Sequence, residues 1–129
     1  ARVAKAYDTL AELEITHMAH NLTSELSGGQ SKLVDIGRAF MGEPELLLLD
    51  EPVAGVAGPL AEKIFNNLRR VVTEKQISVL VIEHNMDFIL RRGVDRIIVM
   101  NQGEILMEGT PDEVKDSKEV IEAYLGGAA

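Results

Sequence analysis

The sequence predicts an α/β fold in which short apolar strands alternate with amphipathic helices. Two runs, residues 46–49 and 77–82, are typical of strands buried on both faces of a sheet. The segment between them repeats its apolar residues at helical spacing. Because a strand, a helix and a second strand form a right-handed crossover, we expect the two strands to be parallel neighbours in one sheet.

The composition fits one soluble, globular domain of 129 residues, with 46% hydrophobic and 26% charged residues. A net charge of −8 argues against nucleic-acid binding, which needs clustered Lys and Arg. The lack of cysteine excludes disulfides and Cys-ligated zinc. No apolar run approaches the roughly 20 residues that cross a bilayer.

The first part of the chain predicts an amphipathic helix over residues 3–13, followed by a polar stretch to residue 25. The apolar positions of that helix are Val3, Ala6, Tyr7, Leu10 and Leu13. In the polar stretch, His17 and His20 lie three residues apart and could share a face. A metal site would need further ligands nearby, so we interpret them as surface histidines.

A glycine turn at Ser27, Gly28, Gly29 and Gln30 precedes a helix that we expect to reach about residue 41. Ser27 is a good N-cap, but two glycines in a first turn each cost up to ~1 kcal/mol relative to Ala. Without Cβ atoms, the first amides of a helix can approach a phosphate closely. The alternative is a flexible loop before a capped, largely buried helix.

The leucine strand ends in Asp50, Glu51 and Pro52, so two adjacent carboxylates follow an apolar strand. Ligands of open α/β sheets bind beyond the carboxyl ends of parallel strands. One carboxylate could serve a Mg²⁺ ion while the next accepts a proton from water. The alternative is an ordinary core strand that ends in an acidic turn.

The second strand delivers Glu83 and His84 to the same predicted edge of the sheet, beside the two carboxylates. Before it, residues 53–58 form a loop and Pro59 starts a helix to about residue 74. The inner face of that helix is Leu60, Ile64, Phe65, Leu68, Val71 and Val72. A single histidine after a strand is more often a surface residue, and only the topology favours a functional role here.

The remaining segments predict a short helix over residues 85–92 and a strand over 94–100. A second strand over 104–108 pairs antiparallel with it in a hairpin. Thr110 and Ser117 are expected to cap two further helices. We expect the last of these to end at Gly126 and Gly127. Its inward side chains would be Val120, Ile121, Tyr124 and Leu125.

Three motifs in order resemble those of ABC-type ATPases: the signature motif, Walker B and the switch-histidine loop. They are Leu-Ser-Gly-Gly-Gln at 26–30, Leu-Leu-Leu-Leu-Asp-Glu-Pro at 46–52 and Val-Ile-Glu-His at 81–84. Residues 83–86, the Ala54-Gly55 pair and residues 120–126 look most like the subfamily of branched-chain amino acid importers. The resemblance covers essentially this whole chain but only the C-terminal part of the family's domain.

The resemblance implies a partial P-loop NTPase domain. Residues 1–42 would be part of the helical signature region. Residues 43–129 would hold the mainly parallel sheet flanked by helices, with a C-terminal hairpin and helices.

The resemblance also implies roles for individual residues. Asp50 would hold Mg²⁺ through water, Glu51 would polarise the attacking water, and His84 would contact the γ-phosphate. Ser27, Gly28, Gly29 and Gln30 would bind the γ-phosphate of ATP held by the opposite subunit.

The chain departs from the family in one essential element, because a P-loop needs a Gly-Lys pair and no glycine here precedes a lysine. We therefore expect ATP and Mg²⁺ only in a complete or complemented site, and no activity from this chain alone. A second departure is Ala57, where the family usually carries an acidic or amide residue in the loop that crosses the dimer interface.

The function implied is that of an ATP-hydrolysing subunit of an ABC transporter that imports solutes. The subfamily that it most resembles imports branched-chain amino acids. The alternative is a non-catalytic or truncated ABC-like module that acts only with a partner. Implied partners are transmembrane permease subunits and a second ATPase subunit, with a cytoplasmic location on the inner face of the membrane. We also expect the isolated chain to self-associate, because the missing P-loop strand would leave an unpaired strand edge.

Overall fold

The computed structural model describes residues 1–125, apart from the side chain of Leu125, and the chain divides into two compact units. The first unit, residues 1–82, contains helix α1 (Arg2–Glu12), α2 (Gly28–Phe40), strand β1 (Leu46–Asp50), α3 (Gly58–Lys75) and β2 (Ser78–Ile82). The second begins at Glu83 and contains α4 (Met86–Leu90), β3 (Ile97–Asn101), β4 (Glu104–Gly109), α5 (Pro111–Lys115) and α6 (Lys118–Val120). The predicted α/β class is confirmed. Within residues 1–125, no helix is both long and apolar enough to cross a membrane.

The first unit contains the predicted parallel pair of strands, with α3 as the crossover between β1 and β2. Leu48 lies opposite Leu80, and Asp50 lies opposite Ile82. Helix α3 carries Pro59 in its first turn, where the missing N–H has no helical partner to lose. The carboxyl ends of both strands therefore meet at one edge of this small sheet.

The prediction that the leucine strand is buried on both faces is wrong. Leu47 is only 5% exposed, but Leu46 is 56% exposed and Leu48 is 66% exposed. Side chains alternate between the two faces of a strand, so residues 47 and 49 pack on the helices while residues 46 and 48 point away. The second strand behaves in the same way, because Leu80 and Ile82 are also exposed.

The core of the first unit lies between the helices and the inner face of the strands. Its most buried members include Leu13, Leu33, Ile36, Phe40, Leu47, Ile64, Leu68 and Val71.

The predicted inner face of α1 is only partly confirmed, since Val3 is 71% exposed and Tyr7 is also exposed. Thr9 is buried instead, because α1 packs its second half on Gly37 of α2. The Tyr7 hydroxyl pairs with His20 Nε2 at 3.1 Å.

A buried polar contact joins the end of α1 to the middle of α3. Asn67, 6% exposed, donates a hydrogen bond from Nδ2 to the carbonyl of Leu13 at 3.2 Å. Helix ends leave carbonyl groups without an intrahelical partner, and this amide satisfies one of them. Lys75 also pairs with Glu12 at 2.9 Å, and Arg70 donates to the carbonyl of Glu12, so several polar contacts hold the end of α1 on α3.

The second unit is built on an antiparallel hairpin rather than on a continuation of the parallel pair. Strand β3 pairs with β4, with Met100 opposite Ile105 and an irregularity after Val99. Its core contains Ile97, Val99, Val114 and Val120. The predicted hairpin is confirmed, although β3 begins at Ile97 rather than at residue 94.

The C-terminal caps follow the prediction, but Ile121 and Tyr124 do not, and the side chain of Leu125 lies outside the described part of the chain. The side chains of Thr110 and Ser117 accept hydrogen bonds from Glu113 N and Val120 N, respectively. Val120 is 2% exposed, whereas Ile121 and Tyr124 are exposed, contrary to expectation. The chain enters a π-helical turn at Ile121–Leu125, which changes the angular spacing of the residues after Val120. The predicted helix end at residues 126 and 127 lies outside the described residues.

Candidate functional site

The glycine turn forms a rigid start to α2. Ser27 Oγ accepts a hydrogen bond from Gln30 N at 3.2 Å, and Gln30 Oε1 accepts one from Ser27 N at 2.8 Å. This reciprocal pair is a capping box, which holds the first turn of the helix in place. The amides of that turn and the positive end of the helix dipole favour an anion at this position.

The two glycines of the turn have different structural roles. A Cβ atom on Gly29 would lie 2.3 Å from Leu60 Cδ2 and 3.3 Å from Val56 Cγ1, so a larger residue here would have to displace the Leu60 side chain. A Cβ atom on Gly28 would meet nothing within 4 Å. The sequence analysis explained both glycines by the space that a phosphate needs. In the structure, only Gly28 has open space of the kind that this explanation needs.

The adjacent carboxylates lie at the carboxyl end of β1, as the sequence predicts. Asp50 is exposed and Glu51 is half-buried. Glu51 has a φ of 44°, in the left-handed region that non-glycine residues rarely adopt. Its amide donates to the carbonyl of Ile82 at 2.9 Å, and its own carbonyl accepts a hydrogen bond from Ala54 N at 3.1 Å. The backbone of Glu51 is therefore fixed on both sides.

An open groove of about 240 Å³ runs between α2 and β1 and reaches Asp50. Lys32 and Asp35 line it from the helix, and Leu48 and Asp50 line it from the strand. Sequence reasoning missed the two helical residues. The available signal was helical spacing, because residues 32, 35, 36 and 39 fall on one face of α2 and all line the groove.

The structure brings the predicted site residues together in two places within the first unit. Ser27, Gly28, Gly29 and Gln30 share the start of α2, which packs on Val56 and Leu60. Asp50 and Glu51 share the strand end, and Asp50 borders the groove beside a later part of α2. His84 is exposed and belongs to the second unit, two residues after Ile82 and just before α4.

The two carboxylates at the strand end could bind Mg²⁺ only together with phosphate oxygens from a nucleotide. Within residues 1–125, no group of three His, Cys, Asp or Glu side chains could hold a metal ion. Magnesium commonly keeps several waters and takes one or two carboxylates plus phosphates of a nucleotide. Asp50 suits that arrangement, because it is exposed at the edge of the sheet.

Comparisons with protein families agree with these features. A family model described as ABC transporter matches residues 1–54. A second model, described as branched-chain amino acid ATP-binding cassette transporter, matches residues 104–129. Together they include the glycine turn, both carboxylates and the hairpin strand β4.

Similar proteins cover nearly all of this chain. The probable branched-chain amino acid transport ATP-binding protein LivG of Methanocaldococcus jannaschii is 42% identical, over 96% of this chain and 49% of the relative. The high-affinity branched-chain amino acid transport ATP-binding protein BraF of Pseudomonas aeruginosa is 36% identical, over 92% of this chain and 46% of the relative. The chain thus spans about half the length of these curated relatives.

Solved structures show the same fold. MJ1267, an ATP-binding cassette of an ABC transporter in its ADP conformation, has a TM-score of 0.86 and 40% identity, over 97% of this chain and 50% of that chain. The cbiO1 protein of Clostridium perfringens, part of the ABC transporter complex cbiONQ, has a TM-score of 0.82 and 32% identity, over 92% of this chain and 47% of its own. The chain belongs to the ATP-binding proteins of ABC transporters.

Proposed function

We propose that this chain supplies the Walker B carboxylates, the switch histidine and the signature turn of an ABC ATPase that drives import of branched-chain amino acids. The observation that carries the proposal is the fixed position of Glu51 beside Asp50 at the carboxyl end of β1. The importer type is supported by the family match over residues 104–129 and by the similarity to LivG and BraF.

Each residue has a defined task in the proposed reaction. Glu51 orients the attacking water and accepts its proton, an effect commonly worth about 10²–10⁴ in rate. Asp50 would hold Mg²⁺, and the ion, when bound, would supply positive charge to the phosphate oxygens. His84 contacts the γ-phosphate and keeps the water and phosphate in line.

The glycine turn acts on a second nucleotide in this proposal. Ser27 and the amides of Gly28 and Gly29 bind the γ-phosphate of ATP held by the opposite ATPase subunit, and Gln30 keeps the turn closed through the capping box. The partners are that second subunit and the transmembrane permease subunits. The assembled ATPase lies on the cytoplasmic face of the membrane.

The proposal is tested with Glu51→Gln in a complete domain. This chain is fused behind the part of the M. jannaschii LivG relative that it does not match, where the resemblance to ABC ATPases implies a P-loop. We expect the variant to bind ATP as tightly as the unsubstituted fusion and to lose at least about 99% of its hydrolysis, because an amide cannot accept the proton. Phosphate release and nucleotide binding are measured on the same preparation.

The matched control is Glu45→Gln. Glu45 is exposed and immediately precedes the amino end of β1, so it lies at the opposite end of the strand from Glu51. This variant should keep the hydrolysis rate of the unsubstituted fusion. Equal rates for Glu51→Gln and the unsubstituted fusion would remove Glu51 from the catalytic role.

A non-catalytic module is the second candidate function, and the open surface over Gly28 supports it. In that case the chain docks on a complete ATPase and contributes only the signature turn. ATP binding by the purified chain alone does not distinguish the two candidates. The missing Gly-Lys pair predicts no binding at micromolar ATP for either candidate. The two then separate by whether the fusion hydrolyses ATP through Glu51.

A further inference from the structure

The glycine turn at the start of α2 has one exposed face and one packed face. Ser27 and Gly28 are exposed, whereas the next residue, Gly29, is buried. The first amides of a helix favour an anion, and the exposed face leaves them open to one. The packed face has no side chain of its own, because glycine lacks a Cβ atom. The groups that cover this face therefore limit how far the backbone of the turn can move.

Two side chains from the segment after the carboxylates cover the packed face. The nearest heavy atoms to a Cβ position on Gly29 are Cδ2 and Cγ of Leu60, at 2.3 and 3.1 Å, and Cγ1 of Val56, at 3.3 Å. The same position on Gly28 has nothing within 4 Å. Leu60 is thus the closest neighbour of the turn on its packed side.

Leu60 is carried by a firmly packed element. It is the third residue of α3, and its side chain packs against the core of the first unit. Further along the same helix, Ile64 is 0% exposed and Leu68 is 4% exposed. A leucine held in this way makes many dispersion contacts, which are individually small and together large. The start of α3 therefore gives the turn a firm surface to rest on.

We propose that Leu60 is a positioning residue for the glycine turn, because it supports the first amides of α2 while they bind phosphate. The inference rests on the proposed function, in which these amides bind the γ-phosphate of ATP on the opposite subunit. Leu60 has no contact with nucleotide in this proposal and acts only through Gly29. Hydrogen bonds weaken steeply when donors are misaligned, so a turn without this support binds phosphate less tightly.

The test is Leu60→Ala in the fusion that completes the domain, with phosphate release measured over a range of ATP concentrations. We expect KM for ATP to rise at least about tenfold while kcat stays within about twofold, because binding is weakened and Glu51 is untouched. Leu60→Met should keep the KM of the unsubstituted fusion, because methionine fills a similar volume.

The matched control is Leu10→Ala. Leu10 is also a half-buried leucine that packs on the core of the first unit, but it belongs to α1 and is not among the neighbours of Gly29. This variant should keep the KM of the unsubstituted fusion. An equal rise in KM for Leu10→Ala would indicate a general loss of packing and overturn the proposal. An unchanged KM for Leu60→Ala would also overturn it.

A second measurement needs no nucleotide. Urea unfolding is measured for this chain with Gly29→Ala, with Leu60→Ala and with both substitutions. The methyl group added at residue 29 enters the space that Leu60→Ala vacates. We therefore expect the double variant to unfold at a higher urea concentration than the two single shifts add up to. Additive shifts would contradict the contact on which the proposal depends.

The positioning role and the proposed function fail separately in this design. Unchanged hydrolysis by Glu51→Gln would contradict the catalytic proposal, while KM of Leu60→Ala still reports on the turn. Non-additive unfolding shifts with an unchanged KM would keep the contact and remove its role in binding.

Discussion

The amide of Glu51 donates a hydrogen bond to the carbonyl of Ile82 at 2.9 Å and so continues the parallel ladder one step past the last residue of β1. At the same residue the backbone turns into the left-handed region, with a φ of 44°. The carboxylate proposed as the base thus stands on a backbone that is both anchored and strained. Residues in such conformations cluster at functional sites, where the surrounding structure holds them in place.

Relief of this strain gives the first prediction. Glu51→Gly should raise the free energy of unfolding by about 1 kcal/mol, because glycine adopts positive φ without a steric cost. The measurement is urea unfolding of the chain at neutral pH. Glu51→Ala is the control, since alanine also lacks the carboxylate but keeps the Cβ atom. An equal gain from both variants would attribute the effect to the side chain rather than to the backbone.

The two glycines of the α2 turn give the second prediction. Gly29→Ala should lower the free energy of unfolding by about 1–3 kcal/mol, because the new methyl group must displace Leu60 and Val56. Gly28→Ala is its matched control and should raise stability by up to about 1 kcal/mol, because space is open there and Ala favours a helix over Gly. Thermal and urea unfolding of both variants provide the comparison. Similar losses for the two would contradict the packing role of Gly29.

The cap of α5 gives the third prediction, which concerns pH. Hydrogen bonds from the backbone amide and then the hydroxyl of Thr110, at 2.8 and 3.1 Å, hold the pKa of Glu113 below its ordinary value of 4.5. A carboxylate with a depressed folded-state pKa stabilises the fold fully above its unfolded pKa. That contribution is lost as the pH falls below 4.5 and through the lower folded value.

The test is the pH dependence of unfolding between about pH 6 and 3. Glu113→Gln should show a shallower loss of stability over the acidic part of this range than the unsubstituted chain. Glutamine can still accept from Thr110 N as part of a capping box, so the variant should remain folded at neutral pH. Identical acid profiles for the two chains would remove Glu113 from the acid response.

Much of the fold follows from patterns that are local in sequence. The apolar runs, the helical spacing and the caps at Ser27, Thr110 and Ser117 predict most elements, and the crossover rule predicts that β1 and β2 are parallel. The exposure of Leu46 and Leu48 could not be predicted this way. An apolar run indicates a strand suited to burial, but it does not show whether a neighbouring element covers each face.

The position of the candidate site at the strand end could be predicted from the sequence, but its local backbone structure could not. The run Asp50-Glu51-Pro52 predicts carboxylates at the edge of the sheet. The left-handed φ of Glu51 occurs where its amide bonds to Ile82 of the neighbouring strand, a contact that is not local in sequence. The packing role of Gly29 depends on Leu60, thirty-one positions later in the chain. Asn67 offered a clue, because a polar residue stands at core spacing between Ile64 and Val71 and proves to be buried.

The side chains of Leu60 and Val56 occupy the space that a Cβ atom on Gly29 would fill, and this has a consequence for the start of α2. No side chain of residue 29 separates these two side chains from the first turn of α2. We therefore expect a displacement of the loop over residues 53–58 to change the packing at the start of α2.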